Sequence, residues 1–181
     1  MRITSGRFRG LRLKTPKTPG IRPMMDRVRK ALFDILGEEI EGSKVLDLFC
    51  GTGALGLEAL SRGAREVVFV DQNPKALGLV KENLHRARVQ GGIKLLRLSL
   101  PRDLARLHPE GPFDVIFVTP PYGQGLARRT LQGLGSLIRP GGWIIVEERV
   151  GEKILPPPEL ELHKEKTYGK TCLFFFRRSA P

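Results

Sequence analysis

From Lys44 onward, short apolar runs alternate with stretches of helical periodicity. Val45–Phe49, Glu66–Val70, Ile93–Leu98, Phe113–Val118 and Trp143–Glu147 are apolar enough to be strands buried on both sides. Between them, residues 53–62, 74–88, 102–108 and 125–138 read as helices. Asn73-Pro74 gives the second of these a capping residue and a first-turn proline. Such alternation predicts a parallel sheet with helices on both faces. The end of the chain breaks the pattern. After Pro156-Pro157-Pro158, the runs Leu160–Lys166 and Thr171–Arg177 are separated only by Thr167-Tyr168-Gly169-Lys170. That is too short for a crossover, so these two strands form an antiparallel hairpin.

The start of the chain follows a different pattern. Leu11 and Leu13 alternate with Arg12 and Lys14, as in a strand with one apolar and one basic face, and Gly6 and Gly10 supply turns. A small hairpin is expected, followed by a link through Pro16, Pro19 and Pro23. Helical periodicity then runs over residues 26–40, with Val28, Ala31, Leu32, Ile35 and Leu36 on one face and Arg27, Arg29 and Lys30 on the other. The whole chain, residues 1–181, is expected to be a single domain with a basic hairpin and linker at residues 1–25.

Charge sharpens this picture. Lys plus Arg is 31 and Asp plus Glu is 19, a net +12. Residues 1–30 hold ten basic side chains against one acid, Asp26, so +9 sits in that segment and +3 in the other 151 residues. Concentrated, patterned positive charge is the footprint of a polyanion-binding surface; a solubilising tail is the plainer alternative. At 40% hydrophobic the chain has material for a core. No apolar run is long enough to cross a bilayer and no secretory leader is visible, so no membrane is involved and a reduced cytoplasmic setting is expected. Cys50 and Cys172 make neither a disulfide framework nor a zinc site, and His85, His108 and His163 lack ligand spacing, so no metal is expected. Cys172, Trp143 and the terminal Phe174-Phe175-Phe176 read as packing residues, and Glu58 with Arg62 as a surface i, i+4 ion pair.

Two segments carry chemistry. The first is Asp47-Leu-Phe49-Cys-Gly51-Thr52-Gly53-Ala-Leu-Gly56, with Asp71 20 residues beyond Gly51 at the end of the second strand. Glycines allow close approach of backbone to ligand, and an acid at Asp71 can bind the paired hydroxyls of a ribose. Both NAD and S-adenosylmethionine (AdoMet) contain that ribose. Asp47 favours AdoMet: a carboxylate at the strand tip can meet the ammonium of a methionine end, whereas a nicotinamide-binding strand normally stays apolar to the glycines. Hydrogen bonding to loop amides is the plainer role for Asp47. The second segment, Thr119-Pro120-Pro121-Tyr122, directly follows an apolar strand, at the edge where parallel sheets bind ligands. Five parallel strands completed by an antiparallel hairpin, with these two loops, give the expected fold class: α/β, a Rossmann-like class I methyltransferase sheet.

The chain resembles the bacterial small-subunit (16S) rRNA guanine-N2 methyltransferases of RsmD type. The resemblance rests on Arg2-Ile-Thr-Ser-Gly6 with Gly10 and Leu13, Arg22-Pro23 with Asp26-Arg27-Val28-Arg29, Ala31-Leu32-Phe33, Asp47–Gly56, Leu57-Glu58-Ala59-Leu60-Ser61-Arg62-Gly63-Ala64, and Pro120-Pro121-Tyr122. It covers nearly the whole chain. It implies transfer of methyl from AdoMet, leaving S-adenosylhomocysteine, to one guanine amine in rRNA, either naked or in the small subunit, with no obligate protein partner. Donor contacts are implied for Asp47, Phe49, Gly51, Thr52, Gly53, Asp71, Gln72 and Ser99. Acceptor contacts are implied for Thr119, Pro120, Pro121 and Tyr122, where amino-methylating enzymes place Asp or Asn, Pro-Pro and an aromatic residue. RNA contacts are expected from Arg2, Arg7, Arg9, Arg12, Lys14, Arg22 and Arg27. Thr119 departs from the family's Asp or Asn, Met24 from its polar residue, and Ser99-Leu100 from an acid or amide. Two rival functions stay open: a DNA adenine-N6 or cytosine-N4 amine methyltransferase, and an RNA-binding homologue impaired at Thr119. A nicotinamide-linked oxidoreductase is a more distant third.

Overall fold

The computed structural model describes residues 1–17 and 24–180. It divides into two compact units, Met1–Arg97 and Leu98–Pro181. The first unit contains α1 (Asp26–Leu36), β1 (Lys44–Leu48), α2 (Ala54–Ser61), β2 (Glu66–Asp71), α3 (Pro74–Arg86) and β3 (Ile93–Arg97). Its strands are parallel in the order β3-β2-β1, with Val45 opposite Val67 and Val67 opposite Ile93. The second unit contains β4 (Phe113–Val118), α4 (Leu126–Leu131), β5 (Ile138–Arg149), β6 (Leu160–Tyr168) and β7 (Thr171–Arg178). Its order is β4-β5-β7-β6; β4 and β5 are parallel, and β7 runs antiparallel to both its neighbours. Every strand expected from the apolar runs is present. The centres of β1, β2 and β4 are buried because the residues are apolar on both faces, Val67–Val70 and Val115–Val118 above all. β3, also expected to be buried on both sides, has no buried residue: it is an edge strand of the sheet and carries Lys94 and Arg97.

The helices depart further from expectation. The segment expected to be helical over 102–108 is a 3-10 turn, Leu104–Glu110, with Pro109 inside it, which has no amide to continue a helix. The helix expected over 125–138 stops at Leu131. Gly133 follows, where a Cβ would lie 2.8 Å from the Leu104 side chain, so the chain turns there in close contact. β5 therefore starts at Ile138, well before Trp143. Residues 26–40 form an α-helix only to Leu36; Gly37 has φ 54° and opens a 3-10 turn to Ile40.

The expected N-terminal hairpin is present as one antiparallel bridge, Arg2 opposite Arg12, flanked by Ile3 N–H to Leu11 O (3.0 Å) and Leu13 N–H to Met1 O (2.9 Å). Ile3 and Leu13 are buried beneath it. The arm is fastened to α2. Arg7 N–H donates to Ser61 O and Phe8 N–H to Ser61 Oγ, both at 2.8 Å, and Ser61 Oγ–H donates to Ser5 O at 2.6 Å. Gly6 is required at this crossing. Its φ is 85°, and a Cβ would sit 2.0 Å from Ser61 O.

Two assignments from periodicity are corrected here. Arg29, placed on the basic outer face of its helix, is fully buried, and so is Glu58, read as half of a surface ion pair. Glu58 accepts from Arg29 Nε (3.0 Å), Arg62 Nε (3.0 Å), Thr4 N–H (3.0 Å), Thr4 Oγ1 (3.0 Å) and Ser5 N–H (3.2 Å). Arg29 also donates to Arg2 O and to Asp26 Oδ1 (3.0 Å). A buried carboxylate satisfied by two guanidinium groups and two amides can be tolerated; a buried guanidinium stripped of its carboxylate cannot. Glu58→Ala should therefore cost about 3–5 kcal/mol of unfolding free energy, the usual loss when one partner of a buried pair is removed. Chemical denaturation monitored by circular dichroism measures this, and a loss below about 1 kcal/mol, as for an exposed pair, contradicts the assignment.

Candidate functional site

One group of predicted site residues, in the first unit, lies at the C-terminal ends of β1 and β2. Cys50 N–H donates to Val70 O at 3.0 Å, which carries the pairing one step past the strand. The chain then turns through left-handed residues: Phe49 (φ 57°), Gly51 (φ 53°) and Gly53 (φ 80°). No atom among the described residues lies within 4 Å of where a Cβ on Gly51 would sit, so the turn faces open space. Gly56 has a different reason. A Cβ there would be 2.2 Å from the Phe69 ring, so this glycine lets α2 lie against β2.

Asp47 is buried on β1. Its Oδ2 accepts from Gly56 N–H at 3.0 Å, the loop-amide role. Its Oδ1 is buried and has no partner among the described residues. Burial, with a further contribution from the Asp71 charge, pushes its carboxyl up to about 8. The Cys50 thiol is raised by burial and then by the Asp47 and Asp71 charges, so it is a packing group rather than a nucleophile. Asp71, half-exposed, accepts from Gly51 N–H (3.0 Å) and Asn73 N–H (2.9 Å), and each oxygen keeps a lone pair for a hydroxyl donor. Thr52 is buried, its Oγ1 accepting from Ala54 N–H at 3.3 Å. Gln72 is exposed, and its carbonyl accepts from Arg97 Nε at 3.1 Å.

Sequence reasoning missed Asn83. This buried α3 residue accepts from Lys14 N–H (2.7 Å) and donates to both Lys14 O and Thr52 O (3.1 Å each). It joins the end of the basic arm to the glycine turn. An amide at a helical position otherwise filled by Val80 and Leu84 was the available signal.

The other group of predicted site residues, in the second unit, follows β4. Thr119 is half-exposed, Pro120 buried, Pro121 exposed and Tyr122 half-buried. The Tyr122 hydroxyl donates to Glu147 Oε1 at 2.8 Å and meets Thr171 Oγ1 at 3.1 Å. Burial raises the Tyr122 phenol to about 12, and burial likewise raises Glu147. The ring is therefore held by its neutral hydroxyl. The Arg149 guanidinium lies 5.9 Å from its centroid. Glu147 and Thr171 were not singled out beforehand; an acid closing the run Ile144-Ile145-Val146 was the visible sign. Ser99 is tied into a short turn, its N–H donating to Asp103 Oδ2 at 2.8 Å and its carbonyl accepting from Asp103 N–H at 2.8 Å.

The expected RNA contacts divide by pairing. Arg2, Arg7, Arg9, Arg12 and Arg27 are exposed and pair with no acid among the described residues. Lys14 pairs with Glu82 at 2.6 Å. Arg22 lies outside the described residues. Among the described residues no group of His, Cys, Asp and Glu could hold a metal, and no helix is long and apolar enough to cross a membrane.

The family described as "Conserved hypothetical protein 95" matches residues 1–177. The "Ribosomal RNA small subunit methyltransferase D" of Escherichia coli strain K12 is 35% identical over 188 residues, covering 99% of this chain and 91% of that one. This chain belongs to that family. The protein of the same name from Haemophilus influenzae is 33% identical over 172 residues, 93% of this chain and 89% of that one. The solved structure of yhhF from Escherichia coli is 32% identical, covers 100% of this chain and 99% of its own, and superposes with a TM-score of 0.86. The fold class is accordingly that of the class I methyltransferases, mostly parallel with an antiparallel C-terminal hairpin. In the run Gly56–Ala64 of this methyltransferase D family member, Glu58, Ser61 and Arg62 all hold the N-terminal arm.

The Asp47 environment sets a pH dependence. A carboxyl whose folded value is raised binds its proton more tightly in the native state than in the unfolded one. Its contribution to stability is complete below the ordinary value of 3.8 and is lost as the pH rises through about 8. Asp47→Asn keeps an acceptor for Gly56 N–H and removes this titration. The ligand-free variant should lose less stability than the native chain between pH 5 and about 8. Thermal melts across that range test it; parallel melting curves for the two proteins contradict it.

Proposed function

We propose that this chain transfers a methyl group from AdoMet to the exocyclic N2 amine of a guanine in small-subunit rRNA. The observation that carries the donor half is the buried, unpartnered Asp47 Oδ1 beside a glycine turn open at Gly51. An unpartnered buried carboxylate oxygen calls for a donor, and the ammonium of AdoMet is one, met directly or through a water. Asp71 would accept from the ribose hydroxyls, Phe49 and Gln72 would flank the nucleoside, and Ser99 would meet the adenine amine. The residues present thus fit the donor. Bound there, AdoMet supplies an electrophilic methyl on a sulfonium.

The acceptor half rests on Thr119-Pro120-Pro121-Tyr122. The Pro120 carbonyl would accept a hydrogen from the guanine amine and so hold the nitrogen lone pair toward the methyl. The Thr119 hydroxyl serves as a second acceptor when its own hydrogen points elsewhere. Tyr122, fixed through Glu147 and Thr171, offers its ring to the base once the base leaves its stack. Positioning carries most of the rate. The target amine is neutral and sheds a proton after transfer, so no strong base is needed. The full-length likeness to proteins named for small-subunit rRNA supports RNA over DNA, as does the unpaired arginine set on the arm. Residues 1–181 act on this reading as one cytoplasmic methyltransferase domain, without a metal or obligate protein partner.

The departure at Thr119 favours one second reading, an RNA-binding protein without activity. Single-turnover transfer of labelled methyl to small-subunit rRNA, naked and assembled, separates the two. The proposal expects slow but measurable transfer. Asp71→Ala should weaken AdoMet binding by about 1–3 kcal/mol, the range for lost hydrogen bonds to a charged group. Thr119→Asp should raise the transfer rate roughly tenfold, since an anionic acceptor worth about 1.4 kcal/mol to the transition state gives that factor. Thr119→Val should lower it. No transfer by native chain and Thr119→Asp alike would leave only the binding role.

A further inference from the structure

A cleft of about 490 Å³ opens beside the N-terminal arm, lined by Arg7 and Phe8 of the arm and by Arg88, Val89 and Gln90 after α3. We infer that it is a subsite for one unpaired nucleotide of the RNA, held by its phosphate and its base; this rests on the RNA reading above and names a site within it. Two guanidinium groups line it and no carboxylate does. Neither Arg7 nor Arg88 pairs with an acid among the described residues, unlike Lys14, Arg29, Lys30 and Arg62.

The arrangement suits a nucleotide better than a bare anion. The Arg7 guanidinium carbon lies over the Phe8 ring, 4.7 Å from its centroid. A guanidinium backed by an aromatic ring is a flat, cationic platform, and unpaired bases stack on such planes. The platform is preformed, because Arg7 N–H and Phe8 N–H are both fastened to Ser61. Arg88 on the other wall would take the phosphate, and the exposed Gln90 amide can both donate to and accept from a base edge.

The backbone supplies an independent sign. α3 ends in a Schellman motif: Val89 N–H donates to Leu84 O (3.1 Å) and Arg88 N–H to His85 O (3.0 Å). Arg88 occupies the left-handed position of that motif with φ 57°. Glycine is the usual residue there because a side chain is strained. An arginine in that place carries a cost in stability and puts a cation on the wall of the cleft.

That strain also supplies a clean variant. Arg88→Gly removes the charge while favouring the native backbone, so its thermal stability should equal or exceed that of the native chain. The measurement is fluorescence anisotropy of a labelled single-stranded RNA oligonucleotide with the full chain, over a range of salt, beside calorimetric AdoMet affinity. Arg88→Gly should weaken RNA binding roughly three- to tenfold and lower the slope of log affinity against log salt by about 0.7, one single-strand phosphate contact. Phe8→Ala should weaken binding about tenfold with the slope unchanged, as for loss of a base platform. Both should leave AdoMet affinity intact. Lys81→Glu, at an exposed cation of α3 that does not line the cleft, should have less effect than Arg88→Glu. The inference is overturned if Arg88→Gly binds RNA with native affinity and salt slope, or if Lys81→Glu matches Arg88→Glu. In either case native RNA binding and methyl transfer would persist and the function would stand. A native chain that binds no RNA overturns both.

Discussion

A single buried carboxylate organises the N-terminal half of this protein. Glu58 collects Arg29, Arg62 and the backbone of Thr4 and Ser5 around one point. Such a group is tolerable inside a protein only when fully satisfied, so each partner is needed by the others. The consequence is geometric. The arm that a charge count marks as basic is not a tail but a segment fixed to α2, crossing it at Gly6, where nothing larger than glycine fits against Ser61. Fixing the arm sorts the cations around it. Arg29 and Arg62 are spent internally, while Arg2, Arg7, Arg9 and Arg12 project outward without acidic partners. An exposed, preorganised row of guanidinium groups binds a polyanion with less loss of side-chain freedom than a mobile tail would suffer.

The same arm reaches the glycine turn. Asn83 bonds both polar groups of the Lys14 backbone and the carbonyl of Thr52, so the end of the arm and the proposed donor loop share one side chain. Asp47 supplies the chemistry of that loop: one oxygen fixes the start of α2 through Gly56, and the other stays buried without a partner. A fold that leaves such an atom unsatisfied is arranged for a ligand more readily than for stability.

The strands were legible because a run such as Phe113–Val118, apolar on both faces, has few alternatives to a buried strand. The short connection at residues 167–170 likewise left the final pair only a hairpin, as found at β6 and β7. Local signals failed where tertiary contacts decided the outcome. Arg29 sits at a position that periodicity assigns to solvent, and only a carboxylate from another helix, 29 residues away, makes its burial tolerable. The helix expected to end at Arg88 ends at Arg86; the left-handed residue that stops it is an arginine and not a glycine, so the sequence carries no stop signal there. In the candidate site the acids and glycines were legible from spacing. The hydroxyl anchors of Tyr122 came from β5 and β7, distant in sequence, and no local pattern exposes them.

The central claim is that this chain methylates a guanine amine in small-subunit rRNA. Mass mapping of that rRNA, from cells with and without the gene, tests it most directly. The account predicts one guanosine that lacks a single N2 methyl group when the gene is absent and regains it when the gene is restored. An rRNA methylation map that is the same in both cells would contradict it.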